Sequence, residues 1–320
     1  MKYLARRLAD SVLLLAAISV LSFVFAQMAP GDYYSEMRTD PRISAATIAG
    51  FRARAGLDRP IAERYILWLH SVVRGDLGYS LAYQGPVTPL LAGRISGTLL
   101  LTGIATLFAW LLAVPLGIWN ATVRGTWGDH VSQAILTLLM TVPELLLAIV
   151  LLVVAAESGW FPVGGMQSPG FGEMGGWARI RDLCRHLALP SAVLIVGMVP
   201  VLTRHVRASV LEVLDSHFVL AARALGIAHR RLLWRHVLPA AMNPLVSLLG
   251  FSIGTLLSAS LLVEVVMGWP GVGPLFLEAI MARDFDLVLA VVMCSAALLV
   301  TANLAADLLL YRLDPRIRTE

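Results

Sequence analysis

Between Arg204 and Asn243 the chain sets six arginines, Arg204, Arg207, Arg223, Arg230, Arg231 and Arg235, against two acids, Glu212 and Asp215, with long apolar runs on either side. Within this stretch, residues 221–239 read AARALGIAHRRLLWRHVLP. On a helix, Leu233, Trp234, Val237 and Leu238 cluster on one side, while Arg231 and Arg235, four apart, share a neighbouring one. An apolar face beside a cationic edge is binding chemistry rather than bond-making chemistry. Periodicity leaves three readings open: docking of a partner protein, a helix lying on anionic membrane lipid, and an ordinary basic loop on the inner side of a membrane.

No other set of residues competes with it. The histidines, at 70, 130, 186, 205, 217, 229 and 236, form no HExxH or other ligand-spaced pair with a carboxylate, and there is no GxSxG elbow. No catalytic, cofactor-binding or metal-binding set is expected. Arginine outnumbers lysine 24 to 1, and Lys2 is the lone lysine, so no Walker A lysine can reach a nucleotide phosphate. If ATP is used, another chain must hydrolyse it. Cys184 and Cys294 are too few and too far apart in depth for a disulfide framework, and are expected to be inert packing residues. Two acids stand out where hydrocarbon makes charge costly: Glu144, directly after Pro143, and Asp307, near Asn303. Glu144 is a candidate for lining the pathway or for a structural polar contact. Asp307 is expected to meet Arg312 or Arg316 at the interface.

The elements that must carry these residues are membrane spans. Apolar residues make up 58% and charged residues 14%, and mean hydropathy is +0.77. These values describe an all-α polytopic membrane protein. The arginines lie between apolar runs and not along a soluble face, which excludes a nucleic-acid binder. Six segments are long enough to cross about 30 Å of hydrocarbon: 8–28, 97–121, 131–157, 188–208, 245–267 and 286–311. The start MKYLARR and its apolar run resemble a signal peptide, but the run is too long and lacks a clean cleavage site, so it reads as an uncleaved first span. Placing both termini inside puts 13 positive residues on short inner segments and four, Arg179, Arg181, Arg185 and Arg283, on short outer loops. The long outer segment carries a helical cap: Asp58 as helix cap, Pro60 in the first turn, and Ile61, Tyr65, Trp68, Leu69 and Val72 at helical spacing up to Gly75. In the basic loop, Asp215 or Ser216 is expected to start a short helix through Leu225, Gly226 to make the turn, and a second helix to run from Ala228 to Pro239. Pro115 with Gly117, Pro143 and Pro200 predict kinks or breaks, and Gly250, Gly254 and Ser258 form a stripe permitting close helix contact, within the chain or with a partner.

At the loop the chain resembles the permeases of ATP-binding-cassette importers, whose signature runs EAA, three residues, glycine, then a basic stretch ending near LP. Ala221, Ala222, Gly226, Leu238 and Pro239 match it, and AARALG resembles the form found in oligopeptide and dipeptide permeases; Leu220 stands at the signature glutamate. The likeness extends to MAPGD (28–32), AGLDRPIAERY (55–65), GDLGYSL (75–81), VEVVMGWPGVG (263–273), ARDFDLV (282–288) and NLAADLLLYRLDPRIR (303–318). It implies a B-type subunit of a peptide-class importer in a bacterial or archaeal cytoplasmic membrane, with an N-terminal helix (1–30), an extracytoplasmic helical segment (31–93), a type I permease domain (94–311) containing a coupling loop (209–243), and an inner tail (312–320). The implied partners are a C-type permease, two ATPase subunits carrying ATP and Mg, and an external solute-binding protein. The resemblance makes residues 221–239, with Arg231, Leu233, Trp234 and Arg235, the contact to the ATPase. The solute it implies is a peptide, or alternatively a nickel chelate or other non-peptide solute. A secondary carrier fits less well, because inverted repeats and several midplane ionisable groups are missing from the sequence.

Overall fold

The computed structural model describes residues 2–28, 31, 33–34, 44–54, 56 and 58–313. In chain order the elements are α1 (Lys2–Met28), α2 (Ala45–Arg54), α3 (Ile61–Val73), a two-stranded hairpin of β1 (Tyr79–Ser80) and β2 (Gly85–Pro86), α4 (Val87–Thr122), α5 (Trp127–Thr141) and α6 (Glu144–Ser158). They continue with α7 (Gly176–Leu214), α8 (His217–Ala224), α9 (His229–Leu232), α10 (Leu238–Val266), α11 (Val272–Met281) and α12 (Phe285–Leu313). Helices α1, α4, α7, α10 and α12 are each long and apolar enough to cross a membrane.

The remaining expected span, over 131–157, is two helices: α5 and α6 meet at 89°. Proline explains the break. Pro143 brings no N–H to the ladder and pushes the residue before it out of the helical region, and both Val142 (φ −80°, ψ 116°) and Pro143 (φ −61°, ψ 132°) are extended. Pro115, Pro190 and Pro200, by contrast, sit inside continuous helices. Several helices also outgrow the expected spans, α7 the most. α7 has 39 residues, about 58 Å of helix. It therefore carries Arg179, Arg181, Cys184 and Arg185, which were expected on a loop, as a helical extension beyond the hydrocarbon.

The core lies between α4, α7 and α10. Leu101, Ala105, Ala109 and Ala113 recur every fourth residue on α4, all fully buried, and Gly117 continues the row against Val206 and the Thr203 carbonyl of α7. Small side chains on one stripe let the two backbones approach, the usual basis of helix association in a membrane. The Gly250 and Gly254 stripe of α10 meets α12 of the same chain: Ala306 and Asn303 lie against Gly250, and Leu299 against Gly254.

At the end opposite the basic loop, α3 rests on α1 and α12 through Phe23, whose ring stands 5.3 Å from Tyr65 and 5.4 Å from Phe285, both edge-on. α3 begins after Pro60 with no side-chain cap, so the expected cap at Asp58 is not made; the chain enters through extended Pro60 instead. The hairpin docks on the start of α12. Asp284 accepts hydrogen bonds from the Ser80 hydroxyl (2.7 Å) and the Ala82 amide (3.0 Å), and it caps α12 by accepting from Leu287 N (3.3 Å). GDLGYSL and ARDFDLV, far apart in sequence, thus meet in space. Ala29, Pro30 and Asp32 of MAPGD, Ala55 and Leu57, and the tail from residue 314 lie outside the described residues.

Candidate functional site

The basic loop is built as a bracket with one side buried. α8 ends in a double hydrogen-bonded reversal: Gly226 N donates to the Arg223 carbonyl (2.9 Å) and Ile227 N to the Ala222 carbonyl (3.2 Å). This pairing requires a left-handed residue, and Gly226 supplies it at φ 75°. The expected turn stands where the sequence placed it. Ser216 does precede α8, but its hydroxyl turns back to donate to the Val213 carbonyl and caps nothing.

The second helix does not stop at Pro239. α9 passes into a π-helical turn, Leu233–Val237, and then directly into α10, with Pro239 in that helix's first turn. Proline lacks an N–H for the Arg235 carbonyl, and its ring would crowd that group in a regular helix. The wider turn, in which Leu238 N donates to the Leu233 carbonyl, relieves the crowding without breaking the rod. The loop is therefore an extension of a membrane span.

The apolar face expected from Leu233, Trp234, Val237 and Leu238 is divided accordingly. Leu233 and Val237 are buried and Leu238 is half-buried, joining Val219, Leu232, Val206, Val210 and Ala241 in one cluster. Trp234 stays 62% exposed, and Arg231, Arg235 and Pro239 are exposed beside it. On α8, Ala222 is half-buried and Ala221 exposed. The exposed apolar surface includes residues that periodicity in the second helix missed: Phe218, Leu220 and Leu225, the last 81% exposed. Burial of Val219 on α8 was the signal, since it turns Phe218 and Leu220 outward.

Two of the six arginines are tied to α5, half-buried Arg207 and exposed Arg204. Arg207 donates to both oxygens of Asp129 on α5 (3.2 and 2.8 Å), and Arg204 donates to the Thr137 hydroxyl (2.6 Å). Arg124, before α5, pairs with Asp215 at 2.9 Å. The candidate acids are also placed. Glu144 opens α6, where the helix dipole favours a carboxylate, and lies directly over Gly197 of α7. Among the described residues Asp307 pairs with Arg7 of α1 (3.4 Å); the side chain of Arg312 and all of Arg316, the partners expected from sequence, lie outside the described residues. Glu144 and Asp307 are not brought together with the loop or with each other.

A third acid, not singled out by sequence, is the most deeply buried among the described residues. Glu264 of α10 accepts from Gly273 N at the start of α11 (2.8 Å). Beside it Val272 N donates to the Thr98 hydroxyl oxygen (2.8 Å) and Trp269 Nε1 to the Gly97 carbonyl (3.0 Å). VEVVMGWPGVG is thus a knot tying α11 to α4 and α10.

Residues 1–102 match the family described as binding-protein-dependent transport system membrane component, N-terminal, and residues 113–319 match binding-protein-dependent transport system inner membrane component. The chain is 34% identical over 317 residues to the oligopeptide transport system permease protein AppB of Bacillus subtilis, covering 98% of each chain. It is 33% identical to OppB of Mycobacterium tuberculosis (99% of each) and 31% identical to the glutathione transport system permease GsiC of Escherichia coli (99% of each). Among solved structures, the inward-facing MetNI methionine ABC transporter aligns with a TM-score of 0.57 at 19% identity, over 70% of this chain and 96% of that one, a likeness of fold. With nearly its whole length matched, the chain belongs to the binding-protein-dependent inner-membrane transport components: it is a multi-pass permease subunit of an ATP-binding-cassette importer, not an enzyme.

Proposed function

We propose that the chain forms half of a translocation pathway for peptides, with both termini on the cytoplasmic side, paired with a C-type permease. Two ATPase subunits holding ATP and Mg drive it, and an external solute-binding protein feeds it. The loop of α8, Gly226 and α9 seats in a groove of one ATPase, with Leu225 and Trp234 as apolar contacts and Arg223, Arg231 and Arg235 as the cationic edge. Closure of the ATPase pair on ATP moves this loop and swings the spans from inward-open to outward-open. Solute then leaves inward after hydrolysis.

The observation that carries the reading is the exposure of Leu225 and Trp234 on a bracket whose other side is fixed in the chain's own core. Large apolar groups held rigidly in the open mark an interaction site. Because the bracket continues into α7 and α10, a push on it reaches two spans at once. Peptide as the solute rests on the names of the relatives, two oligopeptide permeases and one for glutathione, itself a small peptide. The test is purification with the neighbouring subunits. An ATPase should co-purify, Trp234→Ala and Leu225→Ala should reduce its recovery, and the cognate binding protein should bind peptides. Undiminished recovery from both variants contradicts the docking role, and a binding protein indifferent to peptides contradicts the solute.

A further inference from the structure

We propose that the Asp129–Arg207 pair is a positioning contact for transport, carrying the movement of the loop across to α5 and so to the broken span α5–α6. The proposal rests on the reading that the loop docks on the ATPase. Its own ground is how little else holds α5. Of α5's residues only Asp129 and Leu136 are buried, so within the chain little apolar packing fixes the helix against α7. Its far end is an extended joint at Val142–Pro143 with a bend of 89°. An element packed lightly against its own chain and jointed at one end follows whatever grips its other end.

The grip is polar and directional. Thr126 precedes α5, and its hydroxyl oxygen accepts from Asp129 N, while the Asp129 carboxylate accepts from Gly125 N (3.0 Å). These two bonds already close the turn, much as a capping box does, with the carboxylate reaching Gly125 N one residue before the capping Thr126. The two further bonds from Arg207 are therefore not needed to start α5; they join it to another helix. The side chains are 7% and 24% exposed, so the pair is largely out of water, and its two-pronged geometry fixes angle as well as distance. Arg204, three residues earlier on α7, holds Thr137 further along α5, and Arg124 holds Asp215, the last residue before the α8 turn. Asp215 directly follows the end of α7 that carries Arg207, so displacement of α8 is passed to Arg207.

The experiment uses the whole importer in proteoliposomes with its binding protein and reads solute taken up per ATP hydrolysed. This ratio is insensitive to how much complex folds. Asp129→Asn keeps an acceptor for Gly125 N and loses the charge. It and Arg207→Gln should each lower the ratio about fivefold or more, the scale of a coupling between sites, and the double variant should fall no further than the worse single. An unchanged ratio in both singles overturns the proposal. Spin labels at exposed Leu138 of α5 and His205 of α7, with Cys184 and Cys294 replaced, test the intact pair directly. One separation with and without ATP is expected; a changing separation overturns it without recourse to the pair's variants. Failure of the docking reading is seen separately, as ATPase recovery unaffected by Trp234→Ala. Failure of the brace alone leaves that loss in place.

Discussion

Gly226 acts through its backbone and not through its small size. A Cβ built there meets nothing within 4 Å, yet the residue holds φ 75°, which costs a residue with a side chain about 1–2 kcal/mol. Sequence placed the turn at Gly226, and the geometry shows its backbone to be left-handed. Gly226→Asn should thus keep most substrate-stimulated ATP hydrolysis and uptake, because asparagine tolerates the left-handed region. Gly226→Val, β-branched, should lose most of both while still inserting in the membrane. Equal activity of the two variants in the reconstituted importer would remove the turn from the coupling route. At this scale the sequence was readable wherever a residue answers to its immediate neighbours, as Gly226 does. It was unreadable at Asp129, whose partner Arg207 lies 78 residues away, and at Asp307, whose partner Arg7 lies at the other end of the chain. Glu264 could have been found as a charge within an apolar run, but its role depends on α11 folding back onto α10.

Between elements, the glycines that matter are those whose neighbours cannot yield. A Cβ on Gly273 would run into the Leu261 carbonyl, backbone of the helix to which Glu264 fastens α11. A Cβ on Gly254 would run into only the tip of the Leu299 side chain. Backbone cannot rotate aside, whereas a leucine end can change rotamer. Gly273→Ala should therefore lower the thermal midpoint of the purified complex and its yield markedly, by a ΔΔG of roughly 1–3 kcal/mol as for an overpacked core. Gly254→Ala should cost less than half as much. Comparable shifts in a thermal unfolding assay would show that α11 yields as a body and that the knot is not rigid. The spans themselves were legible because about 20 apolar residues have few alternatives in a bilayer. Pro143 was legible as one of several sites for a kink or break, since proline removes a ladder bond wherever it sits, but not as the one that breaks while Pro115 and Pro200 stay inside continuous helices. The 89° angle was not legible either, because the angle is set by what α5 and α6 lean on. Pro239 misled for the same reason: a missing N–H ends a helix or widens it, and the buried Leu233 and Val237 decided for widening.

At the scale of the whole molecule, the bundle is a set of levers longer than the membrane is thick. α7 runs about 58 Å, nearly twice the roughly 30 Å hydrocarbon layer, so each of its ends stands clear in water. One end carries Cys184, which is exposed, and the other leads to Leu225 on the basic bracket. The arrangement turns the proposed orientation into a labelling experiment that needs one substitution. With the bracket inside, a membrane-impermeant maleimide added to intact spheroplasts should modify Cys184. In Leu225→Cys it should reach the new thiol only after the membrane is opened. Cys294, half-buried on α12, should react slowly under either condition, and Cys184→Ser gives the background. Binding of the ATPase should further protect Leu225→Cys in the assembled importer, because a thiol seated in a protein groove is shielded where one lying on lipid headgroups is not. Modification of Leu225→Cys from outside would invert the topology, and with it the assignment of the arginine-rich end to the energy-supplying side. Labelling that is confined to the inside but indifferent to the ATPase would keep the topology and return the bracket to the role of a basic loop resting on the membrane.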